Sequence, residues 1–67
     1  MRGWLKEKRV AFGYTMAQMA KMLGITESYY SMIEAEERQK KMDMALASKL
    51  SAIFSTPIEK IAELENE

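Results

Sequence analysis

Residues 15–33 read TMAQMAKMLGITESYYSMI, and this stretch decides the fold. Two helices that cross closely at a steep angle need a small residue at their contact, and Ala20 is small. The turn between them needs a residue with positive φ and an apolar side chain in the corner, which Gly24 and Ile25 provide. An ordinary helical hairpin can show one or two of these features by chance. All three at this spacing predict a helix-turn-helix.

Apolar residues recur at helical intervals along the whole chain, and strand signals are almost absent. The positions are Leu5 and Phe12; Met19, Ala20 and Leu23; Tyr30 and Ile33; Leu46, Leu50, Ile53 and Phe54; and Ile58, Ile61 and Leu64. No linker, repeat or low-complexity segment interrupts this pattern, so we expect one compact domain over residues 1–67. We predict an all-α domain of five helices, near residues 3–12, 16–23, 27–35, 44–54 and 57–65.

Several residues have the chemistry and spacing of helix ends. Four of them can cap a helix start with a side-chain oxygen. They are Thr15 and Thr56, each followed three residues later by Gln18 or Glu59 in a capping box, and Thr26 and Asp43. Gly13 and Gly24 can end a helix, because glycine adopts the left-handed conformation with little strain.

Composition excludes several classes of function. The chain has no cysteine and no histidine, which removes disulfides, thiolate metal sites and His-based acid/base chemistry. Ser48 and Lys49 point to different faces of a helix, so they do not form a nucleophile–base pair. We expect no enzyme activity, no cofactor and no metal site. No apolar run approaches the length of a signal peptide or a membrane span, which predicts a cytoplasmic protein without membrane contact.

The charges lie in blocks, although the formal net charge is zero. Two basic blocks, residues 1–25 and 38–54, flank the acidic block of residues 26–37. A second acidic block, residues 55–67, follows. Such blocks are either solvated helix faces that keep the protein soluble or a surface for a charged partner.

From about Leu5 to Ile61 the chain resembles the lambda-repressor-like domains, the XRE or Cro/repressor-type helix-turn-helix family of phage and bacterial regulators. The segments that carry the resemblance are LKEKRVAFGYT (5–15), QMAKMLGIT (18–26), SYYSMIE (28–34) and ALASKLSAIFSTPIEKI (45–61). It implies a compact five-helix fold whose helix-turn-helix consists of helices 2 and 3. It also implies a transcriptional regulator, expected to be a repressor, that inserts helix 3 into the major groove of a double-stranded DNA operator as a homodimer.

The resemblance implies that the start of helix 3 reads bases. The candidates are Thr26, Glu27 and Ser28, then Met32 one turn further, with Tyr29 at the rim. Glu27 can accept a hydrogen bond from cytosine N4, Ser28 can bond a base edge or a phosphate, and Met32 and Tyr29 can pack on a thymine methyl. Glu27 has an equally good alternative role, as an acid in the first turn that the helix dipole favours.

Phosphate contacts are expected at two further places. Thr15 and Met16 begin helix 2, whose free backbone amides attract phosphate, although many family members have glutamine at the position of Met16. The basic candidates are Lys21, Arg38, Lys40 and Lys41, together with Arg2, Lys6 and Lys8. Glu36 and Glu37 stand where the family usually has N-G-K-R; they would repel a nearby phosphate, and the missing glycine predicts that helix 3 continues by part of a turn.

Two residue pairs have structural roles in this interpretation. Arg9 and Glu34 match a family pair that bonds across helices 1 and 3, so we expect a structural ion pair.

A chain of 67 residues buries only roughly 60% of its surface on folding, so help from a partner subunit is expected. Trp4 and Leu64 are the candidates for a dimer interface.

Seven methionines leave a second function open. Met16 and Met22 match positions that are usually polar in the family, and exposed methionines adapt to varied apolar partners. The alternative is an adaptor or antagonist that keeps the helix-turn-helix fold and binds another protein rather than DNA.

Overall fold

A computed structural model describes residues 1–66, and this part of the chain contains five helices and no strand. The helices are α1 Gly3–Ala11, α2 Met16–Leu23, α3 Glu27–Glu34, α4 Met44–Ile53 and α5 Ile58–Glu65. They form a compact body of 25 × 23 × 20 Å. The all-α fold of five helices is confirmed, and each predicted helix end lies within one residue of the observed end.

Three of the four predicted helix caps are confirmed. The Thr15 hydroxyl accepts from the Gln18 amide at 3.1 Å, and the Gln18 side chain accepts from the Thr15 amide at 2.8 Å, which completes the capping box. At the start of α3, the Thr26 hydroxyl accepts from the Tyr29 amide at 3.1 Å. An Asp43 oxygen accepts from the Leu46 amide at 2.8 Å at the start of α4.

The predicted capping box at Thr56 is wrong. Pro57 is the N-cap residue of α5, and no side chain of residues 1–66 caps this helix. The Pro57 carbonyl accepts from the Lys60 amide at 2.9 Å, so the helix begins one residue later than a Thr56 cap requires. The Thr56 hydroxyl instead donates to the Phe54 carbonyl at 3.0 Å.

The predicted extension of α3 is also wrong. The ends of α1 and α2 have the expected left-handed glycines, Gly13 and Gly24, with φ of 76° and 73°. After α3, where no glycine is available, Glu36 takes the left-handed conformation itself, with φ of 62°. The Glu37 and Arg38 amides then fold back and donate to the Met32 carbonyl. The helix therefore ends at Glu34 without a glycine.

The core lies between all five helices and consists mainly of the predicted apolar residues. Its buried members are Leu5, Met19, Ala20, Leu23, Tyr30, Ile33, Leu46, Leu50, Phe54 and Ile61. Phe12 is an exception, because it follows the last residue of α1 and is 45% exposed. Its ring lies edge-on to that of Phe54, with centroids 5.2 Å apart.

The joint between α2 and α3 sets the direction of α3. These two helices pack against each other more extensively than against the rest of the fold. Ala20 is buried at this joint, and the Ile25 amide donates to its carbonyl at 3.0 Å. Ile25 is half-buried and packs against the core, as a corner residue should. Within residues 1–66 no helix combines the length and apolarity needed to cross a membrane.

Candidate nucleic-acid interface

The start of α3 is exposed. Its buried face consists of Tyr30, Ile33 and Glu34, so side chains on the opposite face project from the domain. Glu27 and Ser28 are exposed, and their side chains make no hydrogen bond within residues 1–66. Their polar groups are available to an external partner.

Two further exposed groups border this face. Thr26 is exposed, and although its hydroxyl oxygen accepts from the Tyr29 amide, its proton remains free to donate. Ser31 lies three residues after Ser28 and is exposed on the same side of α3. Ser31 was not among the predicted site residues, although the helical spacing of three could have identified it.

Tyr29 and Met32 lie at the border of the exposed face. Both are half-buried. Tyr29 packs against the core, and its hydroxyl accepts from the Gln39 side chain at 3.4 Å. This contact ties α3 to the loop that follows it.

The start of α2 has the free amides that the sequence predicts. The capping box satisfies the Thr15 and Gln18 amides, whereas the first amides of a helix have no partner within it. Thr15 is exposed. The Met16 side chain is half-buried and packs against the core, so only its backbone is suited to hold an anion.

Most basic side chains are exposed and have no acidic partner within residues 1–66. Lys21, Arg38, Lys40 and Lys41 are exposed, and none lies within ion-pair distance of a carboxylate in residues 1–66. Three of them, Arg38, Lys40 and Lys41, belong to the loop directly after α3. Lys6 is exposed and Lys8 half-buried on α1.

Arg2 was wrongly assigned as a phosphate-binding candidate. Its side chain is buried, only 2% of the residue being exposed. The Arg2 guanidinium bonds Glu65 at 2.7 Å and the Ile33 carbonyl at 2.6 Å. No local pattern in the sequence indicates this burial, because arginine is almost always exposed unless it is paired.

The acids near α3 differ in exposure. Glu36 and Glu37 are exposed in the loop. A Glu36 oxygen lies 2.9 Å from the Met1 ammonium, and this hydrogen bond lowers the pKa of Glu36. Glu34 is buried and 1% exposed, so its charge does not face solvent.

Arg9, Tyr30 and Glu34 form a buried cluster that clamps α1 to α3. Arg9 Nε donates to Glu34 Oε2 at 2.7 Å, and the Tyr30 hydroxyl donates to the same oxygen at 2.6 Å. Arg9 also donates to the Tyr14 carbonyl at 3.0 Å. The bond to Glu34 raises the pKa of Arg9, and burial raises the pKa of Tyr30. Arg9 therefore stays charged and Tyr30 stays neutral over the ordinary pH range, and the bonds of the cluster join α1 to α3.

Trp4 and Leu64 lie together. Both are half-buried and line one shallow cavity that Glu65 also borders. The Trp4 indole N–H donates to Glu65 Oε1 at 2.9 Å. Trp4 and Leu64 therefore belong to one surface of the domain.

Comparison with known proteins identifies a matching family. The family model HTH_3, described as helix-turn-helix, matches residues 5–61. No curated protein and no solved structure matches significantly.

Proposed function

The chain belongs to the XRE/Cro-type helix-turn-helix family HTH_3, and we propose that it is a sequence-specific DNA-binding transcriptional regulator that acts as a repressor. The family consists of DNA-binding domains and is typically without catalysis. The observation that carries the proposal is the exposed start of α3, where Glu27 and Ser28 have no partner within residues 1–66.

In the proposed complex α3 lies in the major groove, which is wide enough to admit an α-helix. Ser28 donates to or accepts from a base edge, and Glu27 accepts from cytosine N4. Thr26 offers its hydroxyl proton beside them. Met32 and Tyr29 lie at the rim and pack on thymine methyl groups.

Phosphate contacts orient the domain on the duplex without reading sequence. We assign them to the start of α2 and to exposed cations. The residues are Thr15, Met16 through its backbone amide, Lys21, Arg38, Lys40 and Lys41.

Each phosphate neutralised steepens the fall of log affinity with log salt by about 0.9, so a monomer with roughly four good contacts binds DNA weakly at physiological salt. A homodimer doubles the contacts, and we propose Trp4 and Leu64 as part of its interface.

Fluorescence anisotropy with a generic duplex tests the proposal. Association should weaken steeply between low and moderate salt. Operator selection from random duplexes then supplies a specific site. On that site Ser28→Ala should cost about 0.5–1.5 kcal/mol of discrimination against other sequences, which is the range of one neutral hydrogen bond. Ser48→Ala, an exposed serine on α4, is the matched control and should leave the preference unchanged.

One observation favours a second candidate function, a protein-binding adaptor or antagonist. A groove of about 550 Å³ runs between α4 and α5, lined in part by Met42, Met44 and Ile58, and Met44 is 72% exposed. Met16, which was expected to contribute to a protein-binding face, packs instead against the core. An adaptor would show almost no association with duplex DNA at any salt concentration, which the anisotropy experiment distinguishes.

A further inference from the structure

Arg2 is a buried cation that the proposed DNA contacts do not use. Its guanidinium is held on two sides. On one side Nε and Nη2 donate to the two Glu65 carboxylate oxygens, at 2.7 and 3.2 Å. On the other side Nη1 donates to the Ile33 and Arg38 carbonyls, at 2.6 and 3.3 Å, and Nη2 donates to the Gln39 carbonyl.

The three carbonyls belong to the end of α3 and to the loop that follows it. The last carbonyls of a helix have no partner within it, and the helix dipole favours a cation at that end. The Arg2 backbone amide donates to the Glu34 carbonyl at 2.8 Å as well. A planar guanidinium with five donors can satisfy several carbonyls and a carboxylate at once, which an ammonium cannot.

The loop after α3 needs contacts of this kind. Glu36 and Gln39 have φ of 62° and 55°, a conformation that residues other than glycine keep only where the surroundings impose it. This loop carries the proposed phosphate-binding cations Arg38, Lys40 and Lys41. Arg2 bonds the Arg38 and Gln39 carbonyls, so it holds the backbone between them.

We propose that Arg2 is a positioning residue for DNA binding: its guanidinium, oriented by Glu65, fixes the loop after α3 so that Arg38, Lys40 and Lys41 meet the phosphate backbone together. This inference rests on the proposed function. Arg2 touches no DNA. Glu65 on α5 acts through Arg2 as its counter-ion, and Trp4 holds the same carboxylate.

The salt dependence of DNA binding separates this role from a purely structural one. Arg2→Lys keeps the charge but loses the fork that spans the carbonyls and Glu65. Loss of one or two loop contacts should lower the slope of log affinity against log salt by about 1–2 for each subunit. A variant that is merely less stable has fewer binding-competent molecules at every salt concentration and keeps the wild-type slope. Measurements are made at a temperature where circular dichroism shows the variants folded.

Glu65→Gln and Glu63→Gln form a matched pair of variants. Both remove one negative charge from α5, but Glu63 is exposed and pairs only with Lys60, at 3.5 Å, within residues 1–66. Glu65→Gln should lower the salt slope relative to Glu63→Gln, because only Glu65 orients Arg2. This pair carries the test where Arg2→Lys does not fold.

A double-variant measurement completes the experiment. Lys40→Ala should lower the slope by about 0.9 for each subunit in the wild-type background and by clearly less in the Arg2→Lys background, or in Glu65→Gln if Arg2→Lys is unfolded. Equal effects in both backgrounds, or an unchanged slope in the folded Arg2 and Glu65 variants, overturn the inference alone. Absence of wild-type binding to DNA at low salt overturns the proposed function and the inference with it.

Discussion

Two arginines, Arg2 and Arg9, are buried in this small domain, and each is paired with a glutamate. Arg9 joins α1 to Glu34, the last residue of α3. Arg2 bonds carbonyls at and beyond that same end and reaches α5 through Glu65. Both pairs therefore anchor the C-terminal end of α3, which leaves its N-terminal end, at Thr26 to Ser28, free to face a partner.

Arg9→Ala should lower the free energy of unfolding by about 3–5 kcal/mol, because it leaves the Glu34 carboxylate buried without its cation. Glu34 already has one buried oxygen, Oε1, without a hydrogen-bond partner in residues 1–66. Urea denaturation followed by circular dichroism measures the change. A loss below about 1 kcal/mol, the range of an exposed ion pair, would contradict this assignment.

The double replacement Arg9→Met with Glu34→Leu is the control for that prediction. Apolar side chains of similar size often replace a buried ion pair at little cost. The double variant should therefore be more stable than Arg9→Ala alone, although it changes two residues. Strict additivity of the two single changes would mean that Arg9 and Glu34 do not act as a pair.

The two buried arginines also mark what the sequence could predict at this scale. Arg9 and Glu34 could be paired in advance, because the family resemblance places both on facing helices. Arg2 could not, because its partners are carbonyls of residues 33, 38 and 39 and a carboxylate at position 65. The spacing of nearby residues cannot predict contacts between such distant parts of the chain.

Among the helices, the ends that depend on neighbouring residues were predictable. The caps at Thr15, Thr26 and Asp43 each join a side chain to an amide three residues later. Caps of this kind can therefore be recognised from the local sequence. The conformation that ends α3 was not predictable, although the predicted position of this end lies within one residue of the observed one. This helix end requires Glu36 in the left-handed conformation. Tertiary contacts around the loop sustain that conformation, and the sequence has no glycine at this position to indicate it.

Thr15→Ala should lower the free energy of unfolding by about 1 kcal/mol, because it removes the oxygen that caps α2. Thr15→Ser keeps that oxygen and should retain most of the stability. Both variants are compared by thermal unfolding without DNA, so that the proposed phosphate contact of Thr15 does not enter. Equal losses in Thr15→Ala and Thr15→Ser would show that the methyl group, not the cap, matters.

Asp43 should make the stability of α4 depend on pH. The Leu46 amide, and after it the Gln39 side chain, lower the pKa of Asp43 from its ordinary value of 3.8. A pKa that is lower in the folded state stabilises the fold fully above the unfolded value, and the contribution disappears as pH falls through the folded pKa. Subtracting an Asp43→Asn curve from the wild-type curve should isolate it. A difference that does not shrink below pH 3.8 would contradict the prediction.

For the molecule as a whole, size and charge favour assembly. A domain of this length is marginally stable alone, and the exposed cations of one subunit supply few phosphate contacts. Trp4 and Leu64 line one shallow cavity, while Arg2 and Glu65 connect that region to the loop after α3. A dimer that covers this cavity would double the phosphate contacts and present two copies of α3 to one duplex.

Leu64→Glu should disrupt this dimer, because it places a carboxylate in an apolar contact. The dimer dissociation constant should rise at least about tenfold, since an unpaired buried charge costs more than the roughly 1.4 kcal/mol that a factor of ten requires. Sedimentation across a range of protein concentrations measures this dissociation constant.

Ala62→Glu adds the same charge at an exposed position of α5 outside this cavity and should leave the dimer intact. The salt slope of DNA binding should fall about twofold in Leu64→Glu only, because a monomer offers half the contacts. A dimer broken by Ala62→Glu but not by Leu64→Glu would place the interface on the groove between α4 and α5.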